Sequence, residues 1–156
     1  MENYMKLEIS AIGENESFAR SAVAAFALPL NPTLSELSDI KTAVSEAVTN
    51  CVVHAYPRSA THNTILIECF AKTTENGGEL HITVTDDGCG IADTVQAVTP
   101  FFSTVSNGER SGMGFTIMQT FMDEFSLESE QGRGTTVRMK KIFTAATQTA
   151  KEIMNA

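Results

Sequence analysis

The sequence predicts an α/β (α+β) two-layer sandwich: a mixed, mostly antiparallel sheet with helices on one face. Three observations point there. Several short segments alternate apolar and polar residues with the period of a strand. Two longer segments repeat apolar residues at helical spacing. Gly-rich turns join the later strands in pairs, which favours antiparallel neighbours. No internal repeat or linker divides the 156 residues, so a single domain, 1–156, is expected.

Segment 6–12 places Leu7, Ile9 and Ala11 on one side, a first strand. Asn15 is placed to cap a short helix whose Phe18, Ala22, Ala25 and Phe26 face the core, ending near Pro29. Thr33 and Glu36 form a capping box for a long helix over 34–55, closed by Pro57. Leu37, Ile40, Val44, Ala47, Val48 and Cys51 make its apolar side. Segments 64–72 and 79–85 are strands joined at Asn76-Gly77-Gly78. Segment 89–111 is rich in Gly, Pro, Ser and Asn, and too long for a simple connector. A helix over 112–124 and strands over 125–130 and 135–141 complete the sheet, turning at Gln131-Gly132-Arg133-Gly134. A final helix is expected within 143–156, a C-terminal extension.

Composition narrows the function classes. At 42% hydrophobic and 19% charged residues, the chain is globular rather than disordered. No apolar run approaches the ~20 residues that span a bilayer, and the first residues lack the pattern of a signal peptide. Cys51, Cys69 and Cys89 suggest neither a disulfide framework nor zinc. A cytoplasmic protein is expected, with no membrane association. The net charge of −8 argues against direct nucleic-acid binding.

Two polar features are out of place. Glu46 and Asn50 lie one turn apart, away from the apolar side of their helix. Yet Val53 shares their face, and no Lys or Arg accompanies them, so this is not an ordinary solvated face. Asp86 follows Leu80, Ile82 and Val84 in strict alternation, which puts a carboxylate on the apolar side of a strand. That is costly without donors. Three glycine pairs follow, Gly88-Cys-Gly90, Gly112-Met-Gly114 and Gly132-Arg-Gly134, and the second opens a helix, where phosphate is favoured. Neither a Walker motif nor GxGxxG is present.

Taken in order, Glu46-x-x-x-Asn50, Asp86-x-Gly88-x-Gly90, Gly112-x-Gly114 and Gly134-Thr135 resemble the four boxes of the GHKL ATPase/kinase superfamily, which includes gyrase and the histidine kinases. NESFAR, SEAVTN, ERSGMGFTIM, FMDE and GTT resemble its anti-sigma F branch, sporulation serine-protein kinases of the partner-switching class. The likeness runs from about Met5 to Lys141.

The resemblance implies a GHKL, or Bergerat, ATP-binding fold and roles for single residues. Asp86 would accept a hydrogen bond from the adenine amino group. Thr135, with the parity of Val137 and Met139, would assist there. Gly88 and Gly90 would belong to the nucleotide site. Asn50 would be the protein ligand to Mg2+, and Glu46 would orient or deprotonate the attacking hydroxyl. Gly112, Met113 and Gly114 would wrap the phosphates of ATP or ADP. Segment 91–111 would be the ATP lid; after Ser103-Thr104 it carries Val105 where relatives have a basic residue, and Arg110 is the nearest positive charge. Glu16 and Arg20 would meet a protein partner. The implied partners are a sigma factor of the sigma F type, an anti-anti-sigma factor phosphorylated on serine, and a second copy in a homodimer.

Three other readings stay open at this level. One is a stress-response anti-sigma kinase with a different sigma partner, another a nucleotide-dependent binding module without kinase activity. The third, the ATPase half of a histidine kinase, lacks its preceding helical phosphoacceptor segment.

Overall fold

The computed structural model of the chain describes residues 1–56, 62–99, 113–144 and 154–155. Five strands make one sheet: β1 (Glu2–Ser10), β2 (Thr64–Thr74), β3 (Gly77–Asp86), β4 (Glu124–Glu130) and β5 (Gly134–Thr144). Their spatial order is β1-β2-β3-β5-β4. Every pairing is antiparallel among the described residues, where the sequence suggested a mixed sheet. The reason is an insertion. β4 does run parallel to β3, but β5 folds back between them and separates the two.

The helices are α1 (Glu14–Ala27), α2 (Leu34–Asn50), α3 (Thr94–Ala97) and α4 (Gly114–Phe121). Local chemistry sets their ends. Thr33 Oγ1 accepts from the Glu36 N–H at 3.1 Å, and Glu36 Oε2 accepts from the Thr33 N–H at 2.7 Å, the expected capping box. Pro29 stands in a 3-10 turn, Leu28–Leu30, that ends α1. Asn15 does not cap α1. The helix starts two residues earlier than that cap would place it, after Gly13, so Asn15 falls inside the first turn and donates from Nδ2 to Ser10 O at 2.9 Å.

α1 also turns a narrower face to the core than its sequence suggests. Ala19, Val23, Ala24 and Ala27 are buried, whereas Phe18 is 53% exposed. Ala25 is exposed, and Ala22 and Phe26 are half-buried. Small residues at i, i+4 and i+8 let α1 approach α2 closely, and this tight seam leaves no room for the Phe18 ring.

The core lies between the helices and one face of the sheet. Ile40, Val44 and Val48 of α2 pack with Ile65 and Ile67 of β2 and with Leu80, Ile82 and Val84 of β3. Met118 and Met122 are buried there too. Lys141 sits at inward parity on β5, yet its ammonium is satisfied: Nζ donates to Asp39 Oδ2 at 3.1 Å and to Phe121 O at 2.7 Å. One side chain thus ties the sheet to α2 and to the end of α4.

The long helix is not uniform. Past Asn50 it widens into a π-helical turn, Cys51–Ala55, where a continuous α-helix was expected. Such wide turns occur often beside functional sites, and this one faces Asp86.

Candidate functional site

The end of α2 supplies the first two groups. Glu46 and Asn50 are half-buried and both approach the start of α4. A Cβ on Gly114 would lie 3.1 Å from Glu46 Oε2, 3.1 Å from Asn50 Nδ2 and 3.3 Å from Asn50 Oδ1. The glycine leaves space directly in front of both polar ends. Val53, whose presence on this face was puzzling, is 38% exposed.

Asp86 closes β3. It is 5% exposed and is the buried charged side chain among the described residues. Its Oδ1 accepts from the Gly88 N–H at 2.9 Å, and its Oδ2 accepts from the Cys51 thiol at 3.4 Å. Burial pushes the Asp86 carboxyl above its ordinary range, and the nearby Asp87 charge adds to that push. The Gly88 N–H, the Cys51 thiol and the Thr135 backbone oppose it. A carboxylate has about four acceptor positions, so three donors still leave capacity for a ligand's donor.

The turn after Asp86 is seated on the π-helical turn. Cys89 N donates to Ala55 O at 2.7 Å. Asp87 N donates to the Tyr56 hydroxyl at 3.0 Å, and that hydroxyl donates to Thr64 O at 2.6 Å. A Cβ on Gly88 would stand 2.2 Å from Ala55 O. Glycine is needed here because the chain packs on itself, not for a special φ. Gly88→Ala should therefore lift the turn off the helix and cost about 1–3 kcal/mol. A urea denaturation midpoint unchanged from wild type would contradict this close packing.

Thr135 pairs with Asp86 across β3 and β5. Its Oγ1 lies 2.8 Å from Ser129 Oγ. Ser129 also accepts from the Ile91 N–H at 2.7 Å and donates to Gly134 O at 2.9 Å, which fastens the chain after Gly90 to the β4–β5 hairpin. Gly90, at φ +71°, adopts a left-handed conformation against Glu130.

The expected residues thus fall into one region. Asn50 and Glu46 face Gly114, Cys51 joins the end of α2 to Asp86, and Asp86 joins Gly88 and Thr135. Met113 immediately precedes α4. Gly112, Ser103, Thr104, Val105 and Arg110 lie outside the described residues, as do lid positions 100–111 and tail positions 145–153. Of the expected lid, 91–99 is described: Asp93 Oδ1 accepts from Gln96 N at 3.0 Å and caps α3. Glu16 and Arg20 lie apart, on α1. Their ion pair spans 2.6 Å, and Arg20 also reaches Ser45 Oγ at 3.5 Å.

Sequence reasoning missed the supporting groups. Tyr56 and Cys51 act through contacts with residues about thirty positions away, which no local pattern reveals. Ser129 did carry a signal. It shares the inward side of β4 with Phe125 and Leu127, and a hydroxyl there needs a partner.

The donor chemistry fits magnesium in one way only. No group of three or more His, Cys, Asp or Glu residues able to hold a metal occurs among the described residues. Asn50 offers one hard oxygen atom, too few for a protein-only site but sufficient beside phosphate and water.

The same fold occurs in known proteins. A family model for the histidine kinase-like ATPase domain matches residues 10–141. The anti-sigma F factor of Thermoanaerobacter sp. (strain X514) is 51% identical over 139 residues, 89% of this chain and 93% of that protein. The anti-sigma F factor of Geobacillus sp. (strain WCH70) is 48% identical over 147 residues, 92% and 95% of the two chains. Among solved structures, the RsbU and RsbW domains of Rv1364c from Mycobacterium tuberculosis superpose with a TM-score of 0.62 at 17% identity. That match covers 91% of this chain and 33% of the other, and it concerns the fold alone. The chain belongs to the histidine kinase-like ATPase domain family and, within it, to the anti-sigma F factors.

Proposed function

We propose that this chain is a serine-protein kinase as well as an anti-sigma factor. It binds a sporulation sigma factor of the sigma F type and uses ATP to phosphorylate a serine on an anti-anti-sigma factor. The convergence of Glu46 and Asn50 on Gly114 carries this reading. A protein that merely binds nucleotide needs no carboxylate beside a metal-binding amide.

In this reading Asp86 accepts the adenine amine, with Thr135 beside it. Gly112, Met113 and Gly114 surround the phosphates at the start of α4, where unpaired N–H groups and the helix dipole favour anions. Asn50 holds Mg2+, which when bound neutralises phosphate charge. Glu46 takes the proton from the attacking serine hydroxyl. The serine oxygen forms its bond to the γ-phosphorus as the bond to the β–γ bridging oxygen breaks, and ADP leaves. The protein's contribution is positioning, proton acceptance and charge stabilisation.

Asn50→Ala should weaken nucleotide binding by about 1–3 kcal/mol in the presence of magnesium. With magnesium removed by a chelator, wild type and variant should bind nearly alike. An equal loss under both conditions would deny Asn50 its metal.

Sigma binding is assigned to α1. Arg20 and Glu16 border a groove of about 460 Å³ that continues along α2 past Leu34 and Lys41. As a surface ion pair alone, Arg20–Glu16 contributes only ~0–1 kcal/mol. As a partner contact, the guanidinium reaches an acidic group on the sigma factor and is desolvated there. Arg20→Ala should then release the sigma factor in a pull-down at saturating ATP, with ATP affinity and thermal midpoint unchanged. Full retention of the sigma factor would return Arg20 to the ordinary surface.

A further inference from the structure

The helix carrying Glu46 and Asn50 also sends a thiol to the buried carboxylate. Cys51 follows Asn50 directly, opens the π-helical turn and is 6% exposed. Its Sγ lies 3.4 Å from Asp86 Oδ2, while Asp86 Oδ1 is held by the Gly88 N–H at 2.9 Å. The carboxylate is thus gripped from the turn after β3 and the end of α2, with the Thr135 backbone of β5 beside it.

We propose that Cys51 is a positioning residue for base recognition: its S–H holds the Asp86 carboxylate at the angle that points free acceptor capacity at the exocyclic amine of adenine. This rests on the reading of Asp86 as the adenine acceptor. The physical need is clear. The terminal torsion of an aspartate is broad and soft, so a carboxylate held through one oxygen can pivot. A second donor on the other oxygen stops the pivot. The thiol is suited to this place, because it is buried and its S–H faces a carboxylate oxygen that can only accept. The arrangement also places base recognition and the Glu46–Asn50 pair on one continuous helical segment.

The test is calorimetric titration of wild type, Cys51→Ala and Cys51→Ser with ADP and with inosine diphosphate, which carries a carbonyl in place of the amine. Wild type should prefer ADP. Cys51→Ala should lose about three- to tenfold in ADP affinity, the range of one neutral hydrogen bond, with inosine diphosphate affinity unchanged. Cys51→Ser, which keeps a donor, should recover most of the preference. General loosening of the site would lower both affinities together and would overturn the proposal. A wild type that does not discriminate defeats the adenine reading itself. A discriminating wild type whose preference survives in Cys51→Ala defeats the role of Cys51 alone. Should Cys51→Ala not fold, the infrared S–H stretch of Cys51, assigned by its loss in Cys51→Ser, answers the same question. It should lie below that of buried Cys69 and move on adding ADP; a band insensitive to ADP would count against the proposal.

Discussion

Glu46→Ala is expected to reduce phosphoryl transfer to the anti-anti-sigma factor by about 10²- to 10⁴-fold, the usual contribution of a general base. ATP affinity should stay within about threefold, because in this account the carboxylate acts on the incoming hydroxyl and not on the nucleotide. The structure makes the separation testable. Glu46 approaches Gly114 beside Asn50, whereas the Asp86 carboxylate is contacted by Cys51, five positions further along the helical segment. Glu46→Gln, which keeps the shape but cannot take a proton, should be almost as inactive. Transfer at the wild-type rate by either variant would remove Glu46 from catalysis.

Asp86→Asn should abolish the preference for ATP over GTP, with a loss in ATP affinity of roughly 10- to 150-fold for a charged hydrogen bond. The Gly88 N–H claims the one remaining oxygen, so the amide nitrogen stands where Oδ2 stood. A donor then meets the donor of adenine. The same substitution should not harm the nucleotide-free fold. Burial raises the Asp86 pKa above its unfolded value, so the folded chain holds that proton more tightly than the unfolded one. The ionised form therefore carries a penalty that is absent below the unfolded pKa and grows as pH rises through the folded value. Asparagine has no such penalty. The variant should melt no lower than wild type at neutral pH, with any advantage shrinking as the solution is acidified. A large drop in melting temperature at neutral pH would mean that Asp86 is a structural residue.

How far the sequence carried this picture varied with the range of the interaction. The Thr33–Glu36 capping box and the alternation ending at Asp86 are local patterns, and both stand in the structure as expected. The burial of Asp86 followed from parity alone. The face of α1 did not, because the apolar residues of 14–27 spread around the helix, and packing against α2 selected Ala19, Val23 and Ala27 over Phe18. The antiparallel sheet also needed tertiary information, since only the insertion of β5 between β3 and β4 decides it. In the site, Glu46, Asn50 and Asp86 could be singled out as polar residues in unexpected places. Cys51 and Tyr56 could not, because a thiol and a phenol are ordinary in such positions until their distant partners are known.

The central claim is that the Glu46–Asn50–Asp86 site moves phosphate from ATP to a protein. The direct measurement incubates the wild-type chain with magnesium, γ-labelled ATP and a candidate anti-anti-sigma protein, then locates the label. Label is expected on a serine of that protein, in amounts that match the ADP produced. A chain that binds ATP tightly while the anti-anti-sigma protein stays unlabelled would contradict the account and leave a nucleotide-dependent binding module.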